Sequence, residues 1–158
     1  MSSSIVETGQ LVQLHELKLR RVEKTLAAAS KALTEAVVEV EARRRDAEAV
    51  RSDMAALSDW LSAAPENEKA RFRDITAARE ALLARRCGAA TEALKTAVAA
   101  RVEADNAVAA ARRDWRIARA KNEAIAALHR RARADESLAS ALRQDRRAED
   151  ERARGIVA

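Results

Sequence analysis

Two histidines, one cysteine and a scatter of acids are the residues of this chain whose chemistry could catalyse or ligate. His15 and His129 lie far apart in sequence, and neither belongs to a metal-binding spacing such as HExxH. Cys87 has no second cysteine to pair with and no Cys or His beside it at ligand spacing, so it reads as a small apolar filler on a helix. With three glycines in 158 residues there is no phosphate-cradling loop. The carboxylates are interleaved with bases on what read as solvent-facing helix sides, not gathered in a cleft. The expectation is a protein that is not an enzyme and uses neither cofactor nor metal.

What remains is the chemistry of binding. The net charge is +5, and all of it comes from one end. Residues 1–111 hold 17 basic and 17 acidic side chains, whereas residues 112–154 hold 13 basic and 8 acidic. Arg112, Arg113, Arg116, Arg119, Lys121, Arg130, Arg131 and Arg133 make up most of this basic stretch. Such a stretch suits an acidic protein surface, an anionic membrane or nucleic acid, and its bland alternative is a solvated helix face.

The elements that must position these charges are helices. Charged residues reach 35%, aromatics 2%, and there is a single proline, Pro65. This composition belongs to long helices and coiled coils rather than to a compact globular core. Positions spaced alternately three and four apart carry Ile5, Thr8, Val12, His15, Leu19, Val22, Leu26, Ala29, Leu33, Ala36, Val40, Arg43, Ala47, Val50, Met54, Leu57 and Leu61. Only Thr8, His15 and Arg43 interrupt this apolar seam. One helix cannot hide such a stripe from water, so it requires a partner helix. Arg43 either snorkels outward or pairs with an acid of the facing helix.

Pro65 ends the register, because proline disfavours helix in the residue before it and is tolerated at a helix start. The expected fold is all-α: an elongated two-helix antiparallel coiled-coil hairpin with a longer second helix, forming one domain over 1–158. Helix one is expected at about 5–63, the turn at about 64–67 and helix two at about 66–153. Equal counting from the turn sets residue 5 against about residue 125, leaving a basic overhang over about 126–154. The stripe of helix two is looser, running through Phe72, Ile75, Leu82, Leu83, Cys87, Ala90, Leu94, Val98, Val102, Val108, Trp115, Ala118, Ile125 and Leu128. Gly88 lies inside it and either bends or breaks the helix.

Asp114-Trp115-Arg116 is followed by Lys121, Ala124, Leu128 and Arg131, and Ala148-Glu149-Asp150-Glu151-Arg152-Ala153-Arg154 lies near the C-terminus. In these segments the second helix resembles that of the FliJ/YscO family of type III secretion systems. The family resemblance implies a stalk protein whose paired terminal ends insert into the hexameric export ATPase and promote its assembly and activity. It implies that the hairpin tip faces the export-gate membrane protein, and that export chaperones are further partners. Carried onto this chain, the basic residues named above become the ATPase-binding set. The start of helix two, Phe72, Ile75, Arg79 and Leu83, becomes the gate-binding segment, with Arg79 standing where the family has a small residue. Trp60, a large aromatic just before the turn, is either a further anchor there or a ring laid against the hairpin core.

Two other classes compete. A basic coiled coil that binds nucleic acid would explain the Arg-rich end, but acids are interleaved throughout and that region lacks stacking aromatics. A generic scaffold or surface-coating helical protein would use a broader apolar face than this narrow seam. The expected partners therefore exclude nucleic acid. No apolar run approaches the ~20 residues that span a bilayer, so direct membrane insertion is not expected. The N-terminus has neither a basic nor an apolar leader segment. The expected location is the cytoplasm, at the cytoplasmic face of the secretion apparatus.

Overall fold

The computed structural model of the protein describes residues 3–156, with side chains from Ile5 to Arg154. It is an all-α two-helix hairpin whose second helix is the longer. Helix α1 spans Ser3–Ala63 and helix α2 spans Glu66–Ile156. Among the described residues only Ala64 and Pro65 are not helical.

The break follows from the chemistry of Pro65. The Ala64 amide still donates to Trp60 O at 2.9 Å, closing the last turn of α1. Pro65 has no amide to continue the ladder. Its carbonyl instead accepts from the amides of Glu68 and Lys69 at 3.1 and 3.0 Å, which makes it the cap residue of α2. Glu66 and Glu68 in the first turn and Arg154 in the last complement the helix dipole.

The α1 seam is realised as the heptad spacing predicts. From Ile5 to Leu61 the non-exposed residues of α1 are the seam positions, joined only by Gly9 and Ala42, while Met54 alone of the seam is exposed. Arg43 snorkels: its guanidinium meets Glu39 at 2.7 Å and Asp46 at 3.6 Å, and both acids belong to α1 itself.

Helix α2 corrects the expected stripe. Its seam is a regular heptad run through Leu83, Cys87, Ala90, Leu94, Ala97, Ala104 and Val108, and on through Ala111, Trp115, Ala118, Asn122, Ile125, His129 and Ala132. Ile75, Leu82, Val98, Val102 and Leu128, all members of the expected stripe, are exposed, Val102 by 55%. The physical reason is phase: the heptad spacing that runs through Leu83, Leu94 and Val108 puts Ala97 and Ala104 on the seam and leaves Val98 and Val102 beside it. Gly88 does not break α2: it is helical and its φ is not positive.

The chain divides into two compact units. The turn unit, Ala27–Ala110, contains the hairpin bend and buries Val40, Ala47, Val50, Leu83, Ala97 and Val108. The terminal unit, Met1–Leu26 with Ala111–Ala158, buries Ala111 and is otherwise half-buried along its seam. No polar or charged residue is buried among the described ones. With so many alanines each turn hides little apolar area. Relative to leucine the shortfall is on the order of 1–2 kcal/mol per position.

In the terminal unit Thr8 Oγ1 lies 2.9 Å from His129 Nδ1. Equal counting from Pro65 would have set Thr8 against about residue 122, one heptad away. Both helices tilt their side chains toward their own N-termini. This moves the facing residue of α2 away from the turn by about one position per helix, which is only part of the seven-residue offset. The stretch from 126 to His129, expected in the overhang, consequently lies beside α1. From Ala141 to Arg154 every residue is exposed.

Candidate partner-binding surfaces

The turn unit presents a groove of about 420 Å³ beside the bend. The last turns of α1 contribute Asp53, Ala56, Leu57 and Trp60, and the first turns of α2 contribute Phe72, Ile75, Thr76 and Arg79. Trp60 and Phe72 meet edge to face, with ring centroids 6.4 Å apart and planes at 66°. The Arg71 guanidinium sits 5.4 Å from the centre of the Phe72 ring. Phe72 is half-buried and so held in place, while Ile75 is 66% exposed and forms the open apolar wall. Four of the five residues expected to face the gate thus share one groove.

The fifth does not. Leu83 is only 3% exposed and belongs to the hairpin core, so it is withdrawn from the predicted contact set. It lines a different cavity of about 330 Å³, with Met54, Leu61 and Glu80 among its neighbours. The difference is one of helical phase. Ile75 and Arg79 are one turn apart on a flank of α2, and Leu83 falls on the seam that the flanking position meets as the stripe crosses it.

All eight basic residues expected to bind the ATPase are exposed and lie in the terminal unit. Arg119 is engaged, bonding Glu123 at 2.8 Å and lying 5.2 Å from the centre of the Trp115 ring. Trp115 itself is half-buried at a seam position. The other seven form no ion pair among the described residues. The terminal unit as a whole holds 17 basic and 11 acidic residues, a net +6; the turn unit holds 13 and 14, a net −1. Ion pairs elsewhere are mostly between neighbouring turns of one helix, such as Lys95 with Glu92 at 2.7 Å. Arg86 with Asp53 at 3.8 Å joins the two helices of the turn unit.

A second basic site escaped the sequence reading. In the terminal unit a groove of about 350 Å³ is lined from α1 by His15, Lys18, Arg21 and Val22. From α2 it is lined by Asp114, Ile117, Ala118 and Lys121. Lys18 and Arg21 were overlooked because charge on residues 1–111 sums to zero. The signal that was available is the spacing of Leu11, Leu14, Lys18 and Arg21, three and four apart on a face that is not the seam.

The seam of the same unit carries a polar group of its own. The Thr8 hydroxyl donates to Ile5 O at 3.1 Å and also lies 2.9 Å from His129 Nδ1, where the imidazole tautomer sets which group donates. One heptad nearer the turn, the side-chain oxygen of Asn122 is buried without a hydrogen-bond partner among the described residues. No cluster of three or more potential metal-ligating residues occurs among the described ones, and no helix of these is long and apolar enough to cross a membrane. No family model matches the chain, and no curated protein or solved structure does so either.

Proposed function

We propose that the protein is a non-enzymatic stalk component of a bacterial type III secretion system. In this reading it acts in the cytoplasm, at the cytoplasmic face of the apparatus. The terminal unit engages and activates the hexameric export ATPase, and the groove beside the bend engages the export-gate protein, with export chaperones as further partners.

The observation that carries the reading is the segregation of charge between the two units, taken with the FliJ/YscO-like residues of α2. A net +6 on the terminal unit, with seven of the eight predicted basic residues in no ion pair among the described residues, suits an acidic protein cavity. Charge complementarity of this kind sets orientation and encounter rate more than affinity. The bend offers what an apolar partner segment needs: an anchored aromatic pair and the exposed Ile75 beside it.

The test is to mix the protein with the export ATPase of its own system. Faster ATP hydrolysis and more ring formation are expected, and both should fall when Arg112, Arg113 and Arg116 are reversed to Glu. No change in either with the matched ATPase overturns the reading.

A further inference from the structure

We propose that the groove of the terminal unit lined by Lys18, Arg21 and Lys121 docks an acidic amphipathic α-helix of a partner protein. This inference does not depend on the stalk reading.

The floor of the groove is apolar, made by half-buried Val22 and Ala118 and by Ile117, which is 54% exposed. Its rims are cationic in sum, with Lys18 and Arg21 on the α1 side and Lys121 together with one acid, Asp114, on the α2 side. None of these three forms an ion pair among the described residues. The pattern continues along both helices. On α1, Leu11 and Leu14 precede Lys18 and Arg21 at spacings of three and four, and on α2, Leu128 follows Lys121 on the same face as Ile117. Leu11, Leu14 and Leu128 are all exposed. Two helices thus present a furrow whose base is aliphatic and whose edges are basic in sum. A third helix with an aliphatic stripe flanked by Asp and Glu would complete a three-helix layer there, as helix-in-groove recognition does elsewhere.

Other occupants fit less well. Nucleic acid would set phosphates against Ile117 and the leucines, and no Phe, Tyr or Trp lines the groove to stack a base. A second copy would bring its own net +6 unit against the same cations. The other two grooves differ in charge. The one beside the bend has one acid and one base, and the one at Leu83 has Glu80 alone.

The probe is a synthetic helical peptide of ~21 residues, three heptads with leucine at the two apolar positions and mostly glutamate elsewhere. A control peptide carries lysine in place of glutamate. Binding to the full-length protein is measured by anisotropy at low and physiological salt, with duplex DNA and anionic-lipid vesicles as competitors. The acidic peptide is expected to bind and the lysine peptide not. Lys18→Glu with Lys121→Glu should weaken binding at least tenfold, and Ile117→Ser should weaken it at both salt concentrations. Arg143→Glu with Arg147→Glu, the same charge change on the exposed C-terminal stretch, should have less than a threefold effect. Circular dichroism of each variant confirms that the helices remain. Equal loss from both pairs of reversals would mean diffuse attraction to a basic unit and overturn the proposal. So would tighter binding of DNA or vesicles that is insensitive to Ile117→Ser, or sedimentation showing that a second copy fills the groove.

Discussion

Thr8 Oγ1 and His129 Nδ1 lie 2.9 Å apart although 121 residues separate them in sequence. Their bond ties the first described turns of α1 to α2 and marks the register of the terminal unit. Ala111, Ala118 and Ala132 recur at heptad-related positions of the α2 seam in this unit, so packing there is permissive about a slip of one heptad. A directional polar pair is not. The coupling between Thr8→Val and His129→Leu in a double-mutant cycle is expected at about 0.5–1.5 kcal/mol by urea unfolding. The cycle is needed because Thr8 also bonds Ile5 O. Additive effects would show that the pair does not hold the register.

The α2 seam makes opposite predictions for adjacent residues. Ala97 is buried and its neighbour Val98 is exposed. Ala97→Leu should destabilise the protein by about 1–3 kcal/mol, because three more carbons must be fitted at a buried position. Val102→Ser, on the exposed flank, should stay within about 0.5 kcal/mol of the parent. Denaturant midpoints of the two variants decide whether the alanines or the valines face α1.

Gly88 offers a stabilising change. A methyl group built there meets nothing within 4 Å, and the backbone is already helical. Gly88→Ala should raise stability by up to about 1 kcal/mol, through helix propensity alone. A loss of stability on thermal melting would mean that α2 requires flexibility at this point.

The residues near the bend separate by role. Leu83→Ala removes a core side chain and should cost about 2–5 kcal/mol. Ile75→Ser removes only an exposed one and should leave the melting temperature nearly unchanged. If the groove beside the bend binds the export gate, Ile75→Ser and Trp60→Ala should abolish pull-down of that protein while ATPase stimulation persists. Equal binding by these variants would move the contact elsewhere.

The Arg86–Asp53 pair is half exposed on both sides, at 53% and 49%. Asp53→Asn is therefore expected to cost no more than about 1 kcal/mol, and less in high salt. A larger loss would give this ion pair a role in aligning the hairpin.

Much of this was written in the order of the residues. The α1 heptad ran from Ile5 to Leu61 without a slip, because its leucines and valines differ sharply from the charged residues between them. The bend was equally plain, since one proline lacking an amide interrupts two long stretches of strong helix formers. The segregation of charge needed nothing beyond counting. The packing of α2 was different. Where alanine is common on every side, the size of a side chain does not reveal which face is hidden, so Val98 and Val102 drew attention that belonged to Ala97 and Ala104. Only the approach of α1 picks out that face. The partner of Thr8, the inward turn of Leu83 and the meeting of Lys18, Arg21 and Lys121 around one groove arise the same way. Each depends on how two tilted sets of side chains come into phase, which no single helix specifies.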